Sequence, residues 1–491
     1  MADIASSHKN SATGDGDVAP PMNFWQKMRR RVLLWELKNF STGTILMLLC
    51  TVTGILTGLA ATFMRQMIAR LNYYCLIGIN PDGANWRYLW LPLAGVIATA
   101  FYQRRVIHGN ISRCTAVVKH HLSEGQYRIS PFDVFNPLIG CALTVGLGAS
   151  AGTEGPVALS GAAIGSSLGQ WCRLPKEWIK MLIAVGAGAG IAGIFKAPVG
   201  GLMFSLEVLQ VQLSTLSVIG LAVACVISCT TVVVFSGETF DMSLFRSLDS
   251  HMEIIGWVAL LGIFCGLYSV YYTYTKQHTY KYFSIIRHRW IATIATGIIL
   301  SVSAFIFPSL YSEGFNVIGT LLNSDTHHFL AGSIFARFEN HEGWILAAIV
   351  AILLLKGILV AASYSGGGVA GDFVPTLFAG CMAGYLFSFG LNTLFHIDLP
   401  MWFFALMGMG AVMAGTIHAP VMALFVVCEI TNTYAFIVPY VVVVSLSYAT
   451  VKTLAPKLTY SATGHDDILA LSMLKERSKN KASKPQDQSA Q

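Results

Sequence analysis

Charged residues are scarce in this sequence of 491 residues. Lys, Arg, Asp and Glu make up 12% of it, whereas hydrophobic residues make up 54%. A soluble domain carries about 25% charged residues, so too few charges are present here to cover a surface that faces water. This composition excludes a soluble enzyme, a nucleic-acid-binding protein and a disordered scaffold. It predicts a polytopic membrane protein whose main solvent is the lipid bilayer.

The sequence also lacks the short motifs of common catalytic and metal sites. It contains no P-loop, no H-E-x-x-H, no T-V-G-Y-G filter and, among ten cysteines, no C-x-x-C. We therefore expect no enzyme activity, no cofactor, no metal and no nucleic-acid partner. The alternative, a membrane-embedded enzyme that acts on lipid, would need clustered His and Asp or a nucleophile at the interface, and no such cluster stands out.

Long windows without any charge recur along the chain and predict an all-α fold of membrane-spanning helices. About 20 helical residues cross a hydrocarbon core of ~30 Å. The windows that reach this length include 39–64, 208–237, 254–275, 290–312 and 430–451. Three others, 134–153, 155–172 and 181–195, are shorter, rich in glycine and interrupted by charge or proline. We interpret them as broken or re-entrant helices, which are tolerated only where they line a cavity or pack on protein.

The two ends of the chain are more polar than its middle. Four basic residues between 27 and 31 precede the first apolar window, which favours a cytoplasmic N-terminus, and no cleavable signal peptide is expected. The predicted organisation is therefore a cytoplasmic segment at 1–40, a transmembrane domain at 41–465 and a cytoplasmic tail at 466–491.

An internal repeat is the most informative feature of the sequence. Residues 188–208 align with 410–430 at an offset of 222, and nine of the 21 positions are identical. Just upstream, the pattern G-x-x-A-G-x-x-x-P at 148–156 recurs at 367–375, at an offset of 219. Two matches at nearly the same offset indicate that the chain consists of two homologous halves.

The halves cover roughly 40–235 and 250–460. Repeats of this kind are typical of transporters and channels, in which the substrate site lies at the repeat interface on discontinuous helices. We therefore predict that the site lies at the corresponding broken segments of the two halves.

Each broken segment contains a motif that predicts the start of a short helix, G-T-E-G-P at 152–156 and G-D-F-V-P at 371–375. Proline fits the first helical turn, and the preceding glycine allows a close backbone approach. A helix N-terminus offers free N–H groups and about half a positive charge, so two such ends aimed at one point form an anion site. The alternative is that these glycines only pack helices. The motif occurs in both halves, however, which favours a functional role.

Glu154 is the only charged residue between Asp133 and Arg173. A carboxylate in a membrane is costly unless it is paired or functional. At a helix N-terminus it can take the place of the anion, and protonation would release it. Glu154 is therefore a candidate gate and proton carrier, and the alternative is an ordinary Glu at the membrane interface.

Three further carboxylates and one phenol are less specific candidates. Asp372 stands at the second helix start, where capping of its own helix is an alternative role. Glu207 and Glu429 are equivalent in the repeat, and their matching positions favour a structural role. Tyr460 can donate a hydrogen bond to an anion without carrying a charge, although an interfacial Tyr is the ordinary alternative.

These motifs resemble the CLC family of chloride channels and proton-coupled chloride transporters, over about residues 40 to 465. The most specific pieces are the two helix-start motifs, K-A-P-V-G-G-L-M-F-S-L-E at 196–207 and I-H-A-P-V-M-A-L-F-V-V-C-E-I-T-N-T-Y at 417–434. The resemblance implies two inverted halves, about eighteen helices in each subunit, and a homodimer with one pore in each subunit. Because no nucleotide-sensing modules follow Tyr460, it also implies a prokaryotic plasma (inner) membrane protein, with both termini cytoplasmic.

The resemblance also assigns roles to individual residues. Glu154 is implied to be the external gate, with Glu154 and Glu207 on a proton pathway. The amides of Asp372 and Phe373 would face a central anion, and the amides around Glu154 an outer one. The implied anion-binding residues are Gly109, Thr153, Gly155, Asp372, Phe373 and Tyr460.

The first family motif, G-S-G-I-P, falls at 108–112, where this chain reads H-G-N-I-S. Gly109 replaces the usual central serine and Ser112 the usual proline. One side-chain ligand is therefore missing, and an exporter selective for another anion, such as fluoride, is the alternative to chloride transport.

A second departure concerns proton coupling. Many exchangers carry a glutamate directly after the position of Glu207, where this chain has Val208, as channel members do. Proton coupling would then use Asp372, Glu207 or water, or be absent. The sequence therefore leaves both a channel and a proton/chloride exchanger open.

Overall fold

The computed structural model describes residues 42–79, 83–107, 111–125, 127–212, 214–237, 254–323, 329–338 and 342–456. The chain divides into two units, Met1–Ile45 and Leu46–Gln491, and the packing described below belongs to the second. The described residues form sixteen α-helices with short 3-10 and π turns between them. In chain order the α-helices are α1 Thr42–Leu76, α2 Arg87–Tyr102, α3 Cys114–Ser123, α4 Asn136–Val145, α5 Glu154–Trp171, α6 Lys176–Phe195, α7 Pro198–Met203, α8 Thr215–Ser236, α9 Ile255–Ser284, α10 Arg289–Ile306, α11 Phe315–Leu322, α12 Glu342–Ser365, α13 Phe373–Phe395, α14 Met401–Ile417, α15 Pro420–Thr431 and α16 Ile437–Leu454.

Eight of the described helices are long and apolar enough to cross a membrane. Five of them, α1, α8, α9, α10 and α16, coincide with the charge-free windows, which confirms those predictions. The other three are α6, α12 and α13. The prediction of a short, broken segment at 181–195 is wrong, because α6 is continuous over 20 residues and the charges in its first turns do not interrupt it. In α12 the charge of Lys356 interrupts the apolar window, although this side chain is fully buried.

The sequence repeat is a repeat of helices. α5 and α13 begin 219 residues apart (373 − 154), and α7 and α15 begin 222 residues apart (420 − 198), which are the two offsets of the alignment. In each half, the helix that follows the broken segment packs along the next one, α5 on α6 and α13 on α14. α13 has 23 residues and is longer than the short helix that its motif predicts.

Glycine allows these two helix pairs to pack at backbone contact. Gly161 of α5 faces Gly186 of α6, and a Cβ on either residue would overlap the carbonyl group of the other. Gly380 of α13 and Gly408 of α14 face each other in the same way. Close backbone approach through small residues is a main source of helix association in a bilayer, where apolar side chains gain little by leaving lipid.

Two equivalent glutamates connect the halves through a reciprocal contact. The carboxylate of Glu429 accepts hydrogen bonds from the N–H groups of residues 199 and 200, at the start of α7, at 3.0 and 2.8 Å. The carboxylate of Glu207 accepts them from residues 421 and 422, at the start of α15, at 3.3 and 2.8 Å. Each glutamate thus caps the equivalent helix of the other half and satisfies donors that a helix start leaves unpaired. This is the structural role that the repeat predicts, and it relates the halves by a pseudo-two-fold axis.

We expect Glu429→Ala to destabilise the protein by about 2 kcal/mol, because two N–H donors at the start of α7 lose a charged acceptor. The unfolding temperature in detergent measures the change. Glu429→Gln keeps one acceptor oxygen and should lose less, and Glu207→Ala should also lose less because Glu207 is only half-buried. If Glu429→Ala unfolded at the wild-type temperature, the cap would contribute nothing to stability.

Candidate anion site at two helix starts

The starts of α5 and α13 meet at a β-bridge between equivalent residues. Gly152 and Gly371 pair in an antiparallel manner. The N–H of Gly152 donates to the carbonyl of Gly371 at 2.9 Å, and the N–H of Gly371 donates to the carbonyl of Gly152 at 2.6 Å. These residues are 219 positions apart (371 − 152), so the pseudo-two-fold axis passes through the bridge. The two helix starts that the motifs predict are therefore neighbours in the fold.

A left-handed glycine leads into each of these segments. Gly148 has a φ of +103° and its equivalent Gly367 a φ of +93°, a region in which residues with a Cβ are strained. At Gly148 a Cβ would also overlap the ring of Tyr311. The recurrence of glycine at this position of the repeat therefore reflects a backbone requirement of the turn.

The carboxylate of Glu154 lies between the two helix starts. Its side chain is fully buried, and Oε1 accepts a hydrogen bond from the backbone N–H of Phe373, the first residue of α13, at 2.5 Å. Oε2 has no hydrogen-bond partner among the residues that the structure describes. A Cβ added to either Gly152 or Gly371 would overlap this carboxylate. An acidic group thus fills the space beside the bridge and binds the N-terminus of α13.

Asp372 has a different environment from the one that its position suggests. It is the residue before α13, yet its side chain makes no capping hydrogen bond. Instead Oδ2 forms an ion pair with Nζ of Lys276 at 3.0 Å, and Oδ1 accepts a hydrogen bond from the hydroxyl of Tyr364 at 2.9 Å. The alternative role as a helix cap therefore does not apply to this carboxylate, which contacts α9 and α12.

Thr153 is the equivalent of Asp372 in the first half. Its side chain contacts an acidic residue, whereas that of Asp372 contacts the basic residue Lys276. The Thr153 hydroxyl donates a hydrogen bond to Oε1 of Glu313 at 2.5 Å. Nearby, Nζ of Lys356 donates to the hydroxyl of Ser150 at 2.8 Å and lies 4.2 Å from the centre of the Phe378 ring. The segment that leads into α5 is therefore held by polar contacts with the second half.

Three charged residues near the site, Lys276, Glu313 and Lys356, belong to none of the sequence motifs. Lys276 and Glu313 each stand directly after a charge-free window, and Lys356 interrupts an apolar helix. An isolated charge at such a place is the signal that identifies them, since membrane segments retain a charge chiefly where it is paired or functional.

The remaining predicted site residues are placed only in part. Gly109 and Tyr460 lie outside the described residues, and their roles stay predictions. Gly155 is in the first turn of α5, and its amide nitrogen lies 2.8 Å from the position of a Cβ on Gly371, so it adjoins the bridge. Both carboxylate oxygens of Glu207 bind the start of α15, so a role on a proton pathway would compete with that cap.

Comparison with known proteins adds the family. Residues 93–452 match the family described as Voltage gated chloride channel. The chain belongs to this family, the CLC family. The voltage-gated ClC-type chloride channel ClcB of Citrobacter koseri is 25% identical to this CLC chain over 405 residues, which are 79% of this chain and 91% of ClcB.

Two solved structures share the fold of this CLC chain. The crystal structure of a slow cyanobacterial Cl⁻/H⁺ antiporter has a TM-score of 0.73 and 21% identity, and covers 86% of this chain and 98% of its own. That of a CLC-type fluoride/proton antiporter has a TM-score of 0.68 and 22% identity, and covers 84% and 96%. The predicted family and all-α fold class are thereby confirmed. The chain is an integral membrane protein of an anion-transporting family.

Proposed function

We propose that this CLC protein transports chloride or a similar small anion along a path beside the bridge, with Glu154 as its gate. One observation carries the proposal. The Glu154 carboxylate accepts the N–H of Phe373, which is the donor that we assign to a central anion. A negatively charged side chain thus binds the N–H group at which we propose that the anion binds. Protonation neutralises this side chain, so that an anion can replace it.

The same geometry supports exchange of protons for anions. Because the carboxylate is fully buried and one of its oxygens has no described partner, we expect it to take up a proton before it leaves the amide. Each opening then consumes one proton. If that proton is released on the opposite side of the membrane, protons and anions move in opposite directions, as in the antiporters that share this fold.

A channel is the second candidate, and Val208 is the observation that favours it. Val208 is buried, apolar and placed where many exchangers carry an inner glutamate. Its neighbour Glu207 is engaged in the cap of α15. In a channel, protonation of Glu154 would open the path without net movement of protons.

A flux assay in liposomes distinguishes the two modes. We expect liposomes that contain the purified protein to move protons against the proton gradient while chloride moves down the chloride gradient, in the absence of a protonophore. Liposomes without protein provide the control for leak. Chloride flux with no proton movement would establish the channel instead, and the absence of any anion flux would contradict the proposed function.

The identity of the anion requires a competition series with fluoride, chloride, bromide and nitrate. We expect chloride and bromide to be carried at similar rates, because backbone amides bind small anions without strict selection. Gly109 in place of the usual serine favours the alternative, an exporter selective for another anion such as fluoride. Flux of fluoride at more than about tenfold the chloride rate, or ~1.4 kcal/mol of selectivity, would support that alternative.

The assembly and location are part of the same proposal. We propose a homodimer in the plasma (inner) membrane of a prokaryote, with one anion path in each subunit and both termini in the cytoplasm. Crosslinking in native membranes tests the dimer, and protease access to tags on the two termini tests the orientation.

A further inference from the structure

We infer that Lys276 recruits anions to the amide of Phe373, and that Asp372 restrains Lys276 as a latch. The inference rests on the proposed function, because it names the group that an anion meets before it reaches the donor that Glu154 occupies. It concerns the ion pair between two side chains, whereas the family resemblance implies anion binding by the amide of Asp372 and assigns no role to Lys276.

The position of the ion pair supports this role. Nζ of Lys276 lies 3.0 Å from Oδ2 of Asp372, and Asp372 directly precedes Phe373 in the chain. The N–H of Phe373 is bound to the carboxylate of Glu154. Lys276 of α9 thus contacts the residue that directly precedes Phe373, whose N–H group is the proposed anion donor.

The ion pair also differs from Glu154 in its access to water. The side chains of Lys276 and Asp372 are 12% and 14% exposed, whereas Glu154 has no exposure at all. An ion from solution can therefore reach Lys276 while Glu154 still blocks the amide. The pair thus keeps some contact with water, so an anion that reaches it can compete with Asp372 for the ammonium group.

A second cation lies beside the same helix start. Arg113 forms a bridge with Ala370, two residues before Asp372, and its guanidinium lies 3.8 Å from the centre of the Tyr280 ring. Tyr280 is one turn beyond Lys276 on α9, so Arg113 and Lys276 lie along the same part of this helix. Two positive charges near the start of α13 would raise the local concentration of anions there.

The equivalent position of the first half has a different partner. Thr153 corresponds to Asp372, but its partner is the carboxylate of Glu313 rather than a cation. The two helix starts therefore differ in the charge of the side chain that contacts the residue before each helix. The cation near Thr153 is Lys356, which is fully buried and donates to Ser150, so of these two cations Lys276 is the one in contact with water.

The proposed sequence of events follows from these contacts. An arriving anion competes with Asp372 for the ammonium of Lys276, while Asp372 keeps its hydrogen bond from Tyr364. The anion then lies next to the start of α13. When protonated Glu154 leaves the amide of Phe373, the anion takes its place.

Two single variants have opposite expected effects, which a merely structural ion pair would not produce. Lys276→Met should raise the KM for chloride about tenfold, because the recruiting charge is lost and Asp372 stays negative. Asp372→Asn should lower the KM several-fold, because Lys276 no longer shares its charge with a carboxylate at this position, while the Asn carbonyl still accepts from Tyr364. The maximal rate should change less than the KM in both. Lys276→Arg should restore most of the affinity, and the measurement is chloride flux in liposomes as a function of chloride concentration.

Lys281→Met is the matched control, since Lys281 is exposed on the same helix and should keep the wild-type KM. If both single variants lose flux and the double variant Lys276→Met with Asp372→Asn regains it, the pair is structural and the inference is overturned. A wild-type KM in Asp372→Asn overturns it as well, even if Lys276→Met does not fold. Wild-type protein without chloride flux would instead refute the proposed function.

Discussion

Glu154→Ala is expected to abolish proton movement while anion movement continues at every pH. Its carboxylate is the group that holds the amide of Phe373 and the one that takes up the proton. In wild-type protein, anion flux should rise as the pH falls, by about tenfold per unit where the carboxylate is mostly ionised. In Glu154→Ala this dependence should disappear, because no acidic side chain is left to leave the amide. Parallel records of chloride and proton flux from about pH 4 to pH 8 measure both effects.

Two further variants separate the loss of charge from the loss of bulk. Glu154→Gln keeps the size of the side chain without its charge, so it should also lose proton movement and its response to pH. Glu177→Gln removes an exposed carboxylate at the start of α6 and should behave like wild type. Proton flux that persists in Glu154→Ala, or wild-type anion flux that stays flat over the whole pH range, would contradict the role of Glu154.

The features that the sequence predicts well are those encoded by local signals and by the repeat. Proline in the first turn and glycine before it define where α5 and α13 begin, and both starts agree with the structure. The repeat predicts that the site lies at the corresponding segments of the two halves, and the structure adds the antiparallel bridge through which they meet. For Glu207 and Glu429 the repeat predicts a structural role, and the structure shows that this role is a reciprocal cap.

Contacts between distant side chains could not be predicted in this way. Asp372 illustrates the reason, because its position before α13 suggests a cap, whereas the fold brings Lys276 of α9 to its carboxylate. An ion pair supported by the Tyr364 hydroxyl competes successfully with a capping bond, since hydrogen bonds between charged groups are the stronger ones. The contact of Glu154 with Phe373 joins residues 219 positions apart and likewise depends on helix packing.

Gly371→Ala is expected to reduce anion flux by about 100-fold, and acid should not restore it. A Cβ at this position would overlap Oε1 of Glu154 and lie 2.8 Å from the amide nitrogen of Gly155. The methyl group would therefore fill the space between the two helix starts. That space holds the carboxylate when the path is closed and the anion when it is open, so both occupants are excluded.

The same substitution in the Glu154→Ala background decides whether the anion uses this space. With the carboxylate gone, any remaining block is steric and acts on the anion itself, so the combined variant should stay as slow as Gly371→Ala alone. Gly390→Ala on α13 is the control, because a Cβ there meets no atom within 4 Å and flux should not change. If the combined variant conducted as fast as Glu154→Ala, the anion would pass elsewhere, and Glu154 could not act by occupying the anion's place.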